Sequence, residues 1–135
     1  MGSAGQVHQV LDFMLHGPEG RISSRLTLSY SERQPWQVGV AFGAADSADN
    51  RSAVWVIARD LLVGGLQKRT GQGDVRVGPA GSRIAIEFHD GHDHALITVA
   101  RDALARFLDS CYAVVPPGEE SRRMDWQEEL TALLA

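Results

Sequence analysis

A six-residue segment used twice constrains this chain more than any other feature. Ile57-Ala58-Arg59-Asp60-Leu61-Leu62 returns as Val99-Ala100-Arg101-Asp102-Ala103-Leu104. In both copies an apolar, β-branched run meets Ala-Arg-Asp, and a helical pattern follows. An aspartate near a helix start is favoured by the free N–H groups there and by the positive end of the helix dipole. The copies lie about forty residues apart, a spacing that signals structural duplication. The chain is therefore expected to use one unit twice, strands followed by a helix.

The first unit opens with a strand over Val7–Leu15, where Val7, Leu11, Phe13 and Leu15 share a face. Gly17-Pro18-Glu19-Gly20 has turn chemistry. From Ile22 to Ser31, Leu26, Leu28 and Tyr30 point one way. After Pro35, the residues Trp36, Val38, Val40 and Phe42 form a third inward face, opposite Gln37, Gly39, Ala41 and Gly43. Those small residues suggest close approach by another backbone. Ala44–Ser52 reads as a long hairpin loop. Val54–Ala58 is apolar on both faces, which predicts a central strand or one at a subunit contact. The helix from Arg59 must be short, because Gly64 and Gly65 each cost about 1 kcal/mol relative to Ala.

The second unit begins with a turn at Thr70–Gly73, a short strand at Asp74–Val77 and a turn at Gly78-Pro79-Ala80-Gly81. Arg83–His89 alternates, with Ile84, Ile86 and Phe88 inward. Asp90-Gly91 is a two-residue hairpin signal. Its register pairs His89 with His92, Glu87 with His94, Ile86 with Ala95 and Ile84 with Ile97. A helix starting near Ala100 carries the stripe Ala100, Ala103, Leu104, Phe107, Leu108 and Cys111. Pro116-Pro117-Gly118 marks a stiff linker, placed at 112–121. Asp125-Trp126-Gln127-Glu128 fits a capping box and opens a C-terminal helix over 122–135. Its apolar stripe is Trp126, Leu130, Leu133 and Leu134. Alone that helix is marginal, so it must dock within its own subunit or on a neighbour. With residues 1–6 as a flexible N-terminus, the chain of 135 residues is one domain. The predicted class is α+β: antiparallel β-meander sheets of about seven strands with two or three helices.

Charge narrows the function. The net charge is −4, and only Lys68-Arg69 and Arg122-Arg123 are adjacent basic pairs. Nucleic-acid binding needs a basic patch to displace counterions from phosphates, so no nucleic-acid partner is expected. No run approaches the ~18 apolar residues of a membrane span, and the N-terminus lacks signal-peptide patterning. Cys111 is the only cysteine, which excludes an internal disulfide and a cysteine-based zinc site. The cytoplasm is the simplest compartment.

The sharpest chemical candidate is His89-Asp90-Gly91-His92-Asp93-His94. In the register above, Glu87, His89, His92 and His94 share a face and could ligate zinc. A solvated hairpin tip is the preferred reading, since such tips rarely offer a buried pocket. Cys111 on an apolar stripe reads as an inert buried thiol. No serine occupies a Gly-x-Ser-x-Gly elbow. Gly71-Gln72-Gly73-Asp74 precedes a strand, whereas a phosphate site needs glycines that open a helix. Asp60 and Asp102 are better explained as helix-start residues than as a catalytic pair. Trp55 faces away from Val54 and Val56 and reads as core or a subunit contact; without a basic groove, base stacking is a weak reading. No catalytic residue and no cofactor are expected.

Trp55-Val56-Ile57-Ala58-Arg59-Asp60-Leu61-Leu62, the following Gly65-Leu66, and Thr70-Gly71-x-Gly73-Asp74-Val75-Arg76-Val77 resemble the SsgA-like family. Tyr30 to Pro35, Val115-Pro116-Pro117-Gly118-Glu119 and Asp125-x-x-x-Glu129-Leu130 extend the resemblance over nearly the whole chain. Two departures concern the branch of the family. Tyr30-Ser31-Glu32-Arg33-Gln34-Pro35-Trp36 stands where SsgB-type members carry Tyr-Asp-x-x-x-Pro-Tyr, and Gly78 stands where Trp is frequent. The resemblance implies a non-catalytic, sporulation-specific cell division protein of the SsgB type. Such a protein marks septum sites, recruits the tubulin-like protein FtsZ and promotes its polymerisation. It further implies a whirly-like fold, a homotrimer, and FtsZ with other SsgA-like or septal proteins as partners. Membrane association would be indirect, through partners, and the location cytoplasmic and concentrated at the division septum. The alternative is a whirly-like single-stranded nucleic-acid-binding protein, which the acidic balance opposes. The exposed regions open to a partner are Ala44–Ser52, Lys68–Gly73 and the helix from Asp125.

Overall fold

Strand periodicity and turn chemistry account for most of the architecture. In the computed structural model, which describes residues 5–43, 54–71, 73–123 and 133, β1 (Gln6–Gly17) and β2 (Gly20–Ser31) form one long hairpin. Pro18 and Glu19 close it, and Gly20 (φ 128°) adopts a backbone that L side chains resist. There follow β3 (Gln37–Phe42), β4 (Val54–Ala58), α1 (Arg59–Gly65), β5 (Val75–Ala80), β6 (Arg83–Asp90), β7 (Asp93–Ala100), α2 (Arg101–Val114) and a short α3 (Glu120–Arg123). The seven described strands join one antiparallel sheet in the order β4-β3-β2-β1-β7-β6-β5. The α+β class and the strands-then-helix order are as predicted.

The two halves meet through β1 and β7, which pair from Phe13–Val99 to His16–Leu96. The sheet curls strongly. Trp55 on β4 lies 4.8 Å from Phe88 on β6, although β3, β2, β1 and β7 stand between those strands in the ladder. The core fills the inside of the curl with Leu11, Leu26, Leu28, Val40, Ile84, Ile86, Ile97 and Val99. Leu104, Phe107, Leu108 and Cys111 of α2 close it. Burying each large apolar side chain contributes about 1.5–3 kcal/mol.

The duplicated segment makes the same turn twice. Ala58 (φ −60°, ψ 133°) and Ala100 (φ −63°, ψ 129°) each end a strand and start a helix without a side-chain cap. Arg59 N–H donates to the Trp36 carbonyl at 2.8 Å, and Arg101 N–H donates to the Ser82 carbonyl at 3.1 Å. In each case the acceptor lies immediately before the partner strand. The alanine is thus the last ladder residue, and the arginine's N–H uses the next available carbonyl while its own helix starts.

The glycine pair at the end of α1 serves packing. A Cβ on Gly65 would lie 2.3 Å from Val77 Cγ1, and Val77 is fully buried. The helix can therefore settle on β5 only with glycine there.

Several expectations are corrected. Among the described strands β4 lies at an edge and not in the centre, since it pairs only with β3. Trp36 is 43% exposed, because it precedes β3 in a turn and only its carbonyl is used inside. Gly78-Pro79-Ala80 continue β5 instead of turning. β5 is the other edge of the sheet, where proline's missing N–H is tolerated. Ala100 is exposed, one residue before its helix. Gly5 and Gln6 are tied to the fold through Gly5 O–Glu32 N and the Gln6–Ser31 pair. The supposed linker at 112–121 is mostly built in: Tyr112–Val114 are helical, Val115 is buried and Glu120 opens α3. The 44–52 loop lies outside the described residues. So does the helix expected over 122–135, apart from the backbone of Arg122 and Arg123 and an exposed Leu133.

The β6–β7 hairpin shows a subtler difference. Its loop is Gly91-His92, with Asp90 opposite Asp93, His89 opposite His94 and Ile86 opposite Ile97. Gly91 (φ 61°) takes the first loop position. Alternation with period two assigns each side chain to a face but cannot distinguish two registers that keep the same faces. The observed one pairs the larger apolar residues, Ile86 with Ile97 and Ile84 with Val99.

Candidate functional site

The histidines separate in this register. His89 and His94 stack outside the sheet with ring centroids 5.8 Å apart, whereas His92 sits in the turn. Glu87 lies 3.4 Å from His89 Nε2 and 3.4 Å from Arg69 Nη2, so its carboxylate is engaged by a cation. Among the described residues, no group of three or more His, Cys, Asp or Glu side chains is placed to hold a metal ion. Cys111 is fully buried, and burial pushes its thiol up to about 12. Asp60 and Asp102 are exposed in the first turns of their helices. No described helix is long and apolar enough to cross a membrane.

Arg59, read in the sequence only as a helix start, is 1% exposed and holds four segments together. Its Nη1 donates to the Tyr30 hydroxyl and to the Val115 carbonyl, both at 2.8 Å. Its Nη2 donates to Glu120 Oε1 at 2.7 Å. The guanidinium carbon lies 4.6 Å from the Tyr112 ring centroid, a cation–π distance. Tyr30 passes the chain of bonds on, donating to the Pro35 carbonyl at 2.9 Å. Burial raises the Tyr30 hydroxyl to about 12 against the opposing pull of Arg59. Glu120 is held below the usual carboxylate range, first by its own backbone N–H, with the Gly118 N–H and Arg59 adding to the effect. The segments that carried the family resemblance, Tyr30–Pro35, Ala58-Arg59 and Val115–Glu119, converge here. A buried guanidinium needs several acceptors, and that demand is the signal that would have tied those segments together in advance.

Two apolar surfaces stand out among the described residues. Outside the first half, two cross-strand rows run over β4, β3, β2 and β1: Val54-Ala41-Thr27-Val10 and Val56-Gly39-Ser29-His8. They contain no Asp, Glu, Lys or Arg, and Val54, Val56 and Val10 are 63%, 54% and 61% exposed. Inside the curl, a pocket of about 370 Å³ opens between β4 and the β6–β7 tip. Phe13, Phe42, Trp55 and Phe88 form its aromatic wall, and Asp90 and Asp93 stand at its rim. Phe42 makes edge-to-face contacts with Phe13 and Phe88 at 5.4 and 5.6 Å. Trp55, expected in the core or at a contact, is half-buried in this wall.

Comparison with known proteins gives the family. The family described as Streptomyces sporulation and cell division protein, SsgA, matches residues 25–120. A sporulation-specific cell division protein SsgB from Salinispora tropica is 38% identical over 115 residues, which is 82% of this chain and 80% of the relative. The SsgB of Streptomyces coelicolor is 39% identical over 114 residues, 80% of each chain. A solved SsgA-like sporulation-specific cell division protein from Thermobifida fusca superposes with a TM-score of 0.83 at 28% identity, covering 98% of both chains. A second solved chain, from work on SsgB mutations and longitudinal cell division in sporulating Streptomyces coelicolor, gives 0.80 at 32% identity, covering 92% of this chain and all of that one.

Proposed function

This chain belongs to the SsgA family of sporulation and cell division proteins, and from that premise we propose that it is a non-catalytic septation protein of the SsgB type. In this reading it marks septum sites, recruits FtsZ, promotes FtsZ polymerisation and acts as a homotrimer at the division septum. The observation that carries the reading is the 38–39% identity to proteins named SsgB over four fifths of both chains. Two features of the fold support it. Among the described residues, no three His, Cys, Asp or Glu side chains are placed together as a metal-dependent catalytic centre requires. The exposed valines on edge strand β4 and the uncharged rows beside them offer a surface suited to another protein chain. A trimer would present each such surface three times, and multivalency raises avidity without new contacts. The whirly-like fold belongs to the same reading. The alternative single-stranded nucleic-acid binder is opposed by the net charge of −4.

The test is sedimentation of FtsZ polymer with and without the purified protein. More pelleted FtsZ is expected, rising with added protein until the sites are filled. An unchanged pellet at all ratios would count against FtsZ recruitment, and a light-scattering mass of one 14.7 kDa chain would count against the trimer.

A further inference from the structure

The inner face of the β6–β7 hairpin changes character at its tip. On β6 the inward residues run Ile84, Ile86, Phe88 and then Asp90; on β7 they run Val99, Ile97, Ala95 and then Asp93. The pairs Ile84–Val99, Ile86–Ile97 and Phe88–Ala95 belong inside the curl. The next pair is two carboxylates directly opposite each other. Like charges at opposed strand positions repel, and among the described residues neither Asp90 nor Asp93 has an ion-pair partner. The two acids stand on the rim of the aromatic pocket, with Phe88 next inward from Asp90.

We propose that this pocket is a docking site for a partner polypeptide that inserts an apolar side chain and carries a Lys or Arg beside it. The volume, about 370 Å³, lies in the range of real ligand pockets, roughly 300–1,000 Å³. It is larger than one water or ion needs and suits a Leu, Phe or Met anchor. Seven of the ten lining residues are apolar, and Asp90, Asp93 and His94 complete the lining at the hairpin end, so an anchor gains by burial against the apolar part. Aromatic-walled pockets are where interface energy concentrates. The rim chooses the occupant: the Asp90 and Asp93 carboxylates attract a cation beside the anchor and disfavour an anion. Trp55 of β4 lines the pocket, and among the described strands β4 has no second neighbour, so an extended segment can approach from that side. The inference rests on the reading of this protein as a partner-binding scaffold and supplies the contact that reading lacks.

The test uses the full chain and fluorescein-labelled hexapeptides with a central Leu-Leu flanked by Lys on both sides. The controls carry Glu flanks, or a central Ala-Ala. Anisotropy titration should show saturable binding of the Lys-flanked Leu peptide and at least about tenfold weaker binding of both controls. The exposed double variant Asp90→Asn with Asp93→Asn leaves the apolar wall intact and should erase the Lys-over-Glu preference. No saturable binding of the Lys-flanked peptide up to about 1 mM, or a preference unchanged in the double variant, overturns the site. FtsZ sedimentation separates the two ideas. If the double variant pellets FtsZ as well as the parent does, the pocket is not the FtsZ contact, and scaffold function stands without it. If the parent leaves FtsZ unmoved while the peptide profile holds, the site stands and FtsZ recruitment falls.

Discussion

Arg59 and Arg101 occupy the same place in two copies of one segment and do different work. Both follow an alanine of nearly identical backbone angles, and both send the N–H to the residue before the partner strand. Past the backbone the likeness ends. The Arg59 guanidinium is buried among Tyr30, Val115, Glu120 and Tyr112. That of Arg101 is partly exposed, and its contact among the described side-chain bonds is one long 3.4 Å approach to the Leu66 carbonyl. The cause lies in what comes later in the chain. After α2 the backbone returns over Arg59, bringing the Val115 carbonyl and the Glu120 carboxylate, whereas Arg101 receives only the end of α1. A duplicated segment therefore dictates a backbone turn, and the segment that returns to cover it decides whether its side chain becomes structural.

That contrast is broken most directly by truncating each arginine. Arg59→Ala removes a buried cation and strands Glu120 and the Val115 carbonyl, so urea unfolding should show a loss of about 3–5 kcal/mol. Arg101→Ala should cost under about 0.5 kcal/mol, as for most surface positions. Equal losses would mean that the return of the chain over Arg59 does not matter to stability. A second comparison concerns the helices. Gly65→Ala improves helix propensity by about 1 kcal/mol yet drives a methyl into Val77, and overpacking of that kind costs about 1–3 kcal/mol. A net loss of about 1 kcal/mol is expected in the same unfolding measurement. A gain would show that α1 can shift away from β5.

A pH-dependent effect lies in the acid limb of stability. The Glu120 carboxyl titrates below its ordinary value in the folded chain. Its contribution is therefore present above the unfolded value of 4.5 and disappears as pH falls through the lower folded value. Glu120→Gln should cost about 1 kcal/mol at pH 7, the scale of one charge-assisted hydrogen bond lost to a neutral one. Nothing should be lost once the pH lies below the lowered folded value, where the parent carboxyl is itself neutral. Arg101→Ala should leave the shape of the acid limb unchanged. Parallel acid limbs for the parent and Glu120→Gln would remove Glu120 from the account.

Much of this was legible in the residues. Alternation placed Leu26, Leu28 and Tyr30 on one face, and Ile84, Ile86 and Phe88 on another, because burial on one side of a strand repeats every second residue. Helical spacing picked out Leu104, Phe107, Leu108 and Cys111 for the same kind of reason. The failures have a common form. Val54–Ala58, apolar on both sides, reads as central or at a subunit contact, and Val54 and Val56 are exposed at an edge, which removes the central alternative. Apolar character states a preference for burial and does not say which surface provides it. The His89–His94 hairpin slipped by one loop position because both registers satisfy the same pattern of faces. That slip replaced the imagined four-ligand group with a stacked pair and left His92 in the turn. The aromatic pocket was out of reach altogether, since Trp55 and Phe88 meet only through the curl of the whole sheet.

By itself, the sequence determined the class of the fold, the order of strands and helices, the face of nearly every apolar residue and the family. These depend on local geometry, on periods of 2 and 3.6 residues and on turn residues that act within a few positions of themselves. Only the tertiary structure decided which of two like arginines is buried, where the sheet ends, and that Phe13, Phe42, Trp55 and Phe88 wall one pocket under an acidic rim. Those outcomes depend on how far the sheet curls and where the chain returns after α2. Both are set by packing among residues distant in sequence, a quantity that no local pattern encodes.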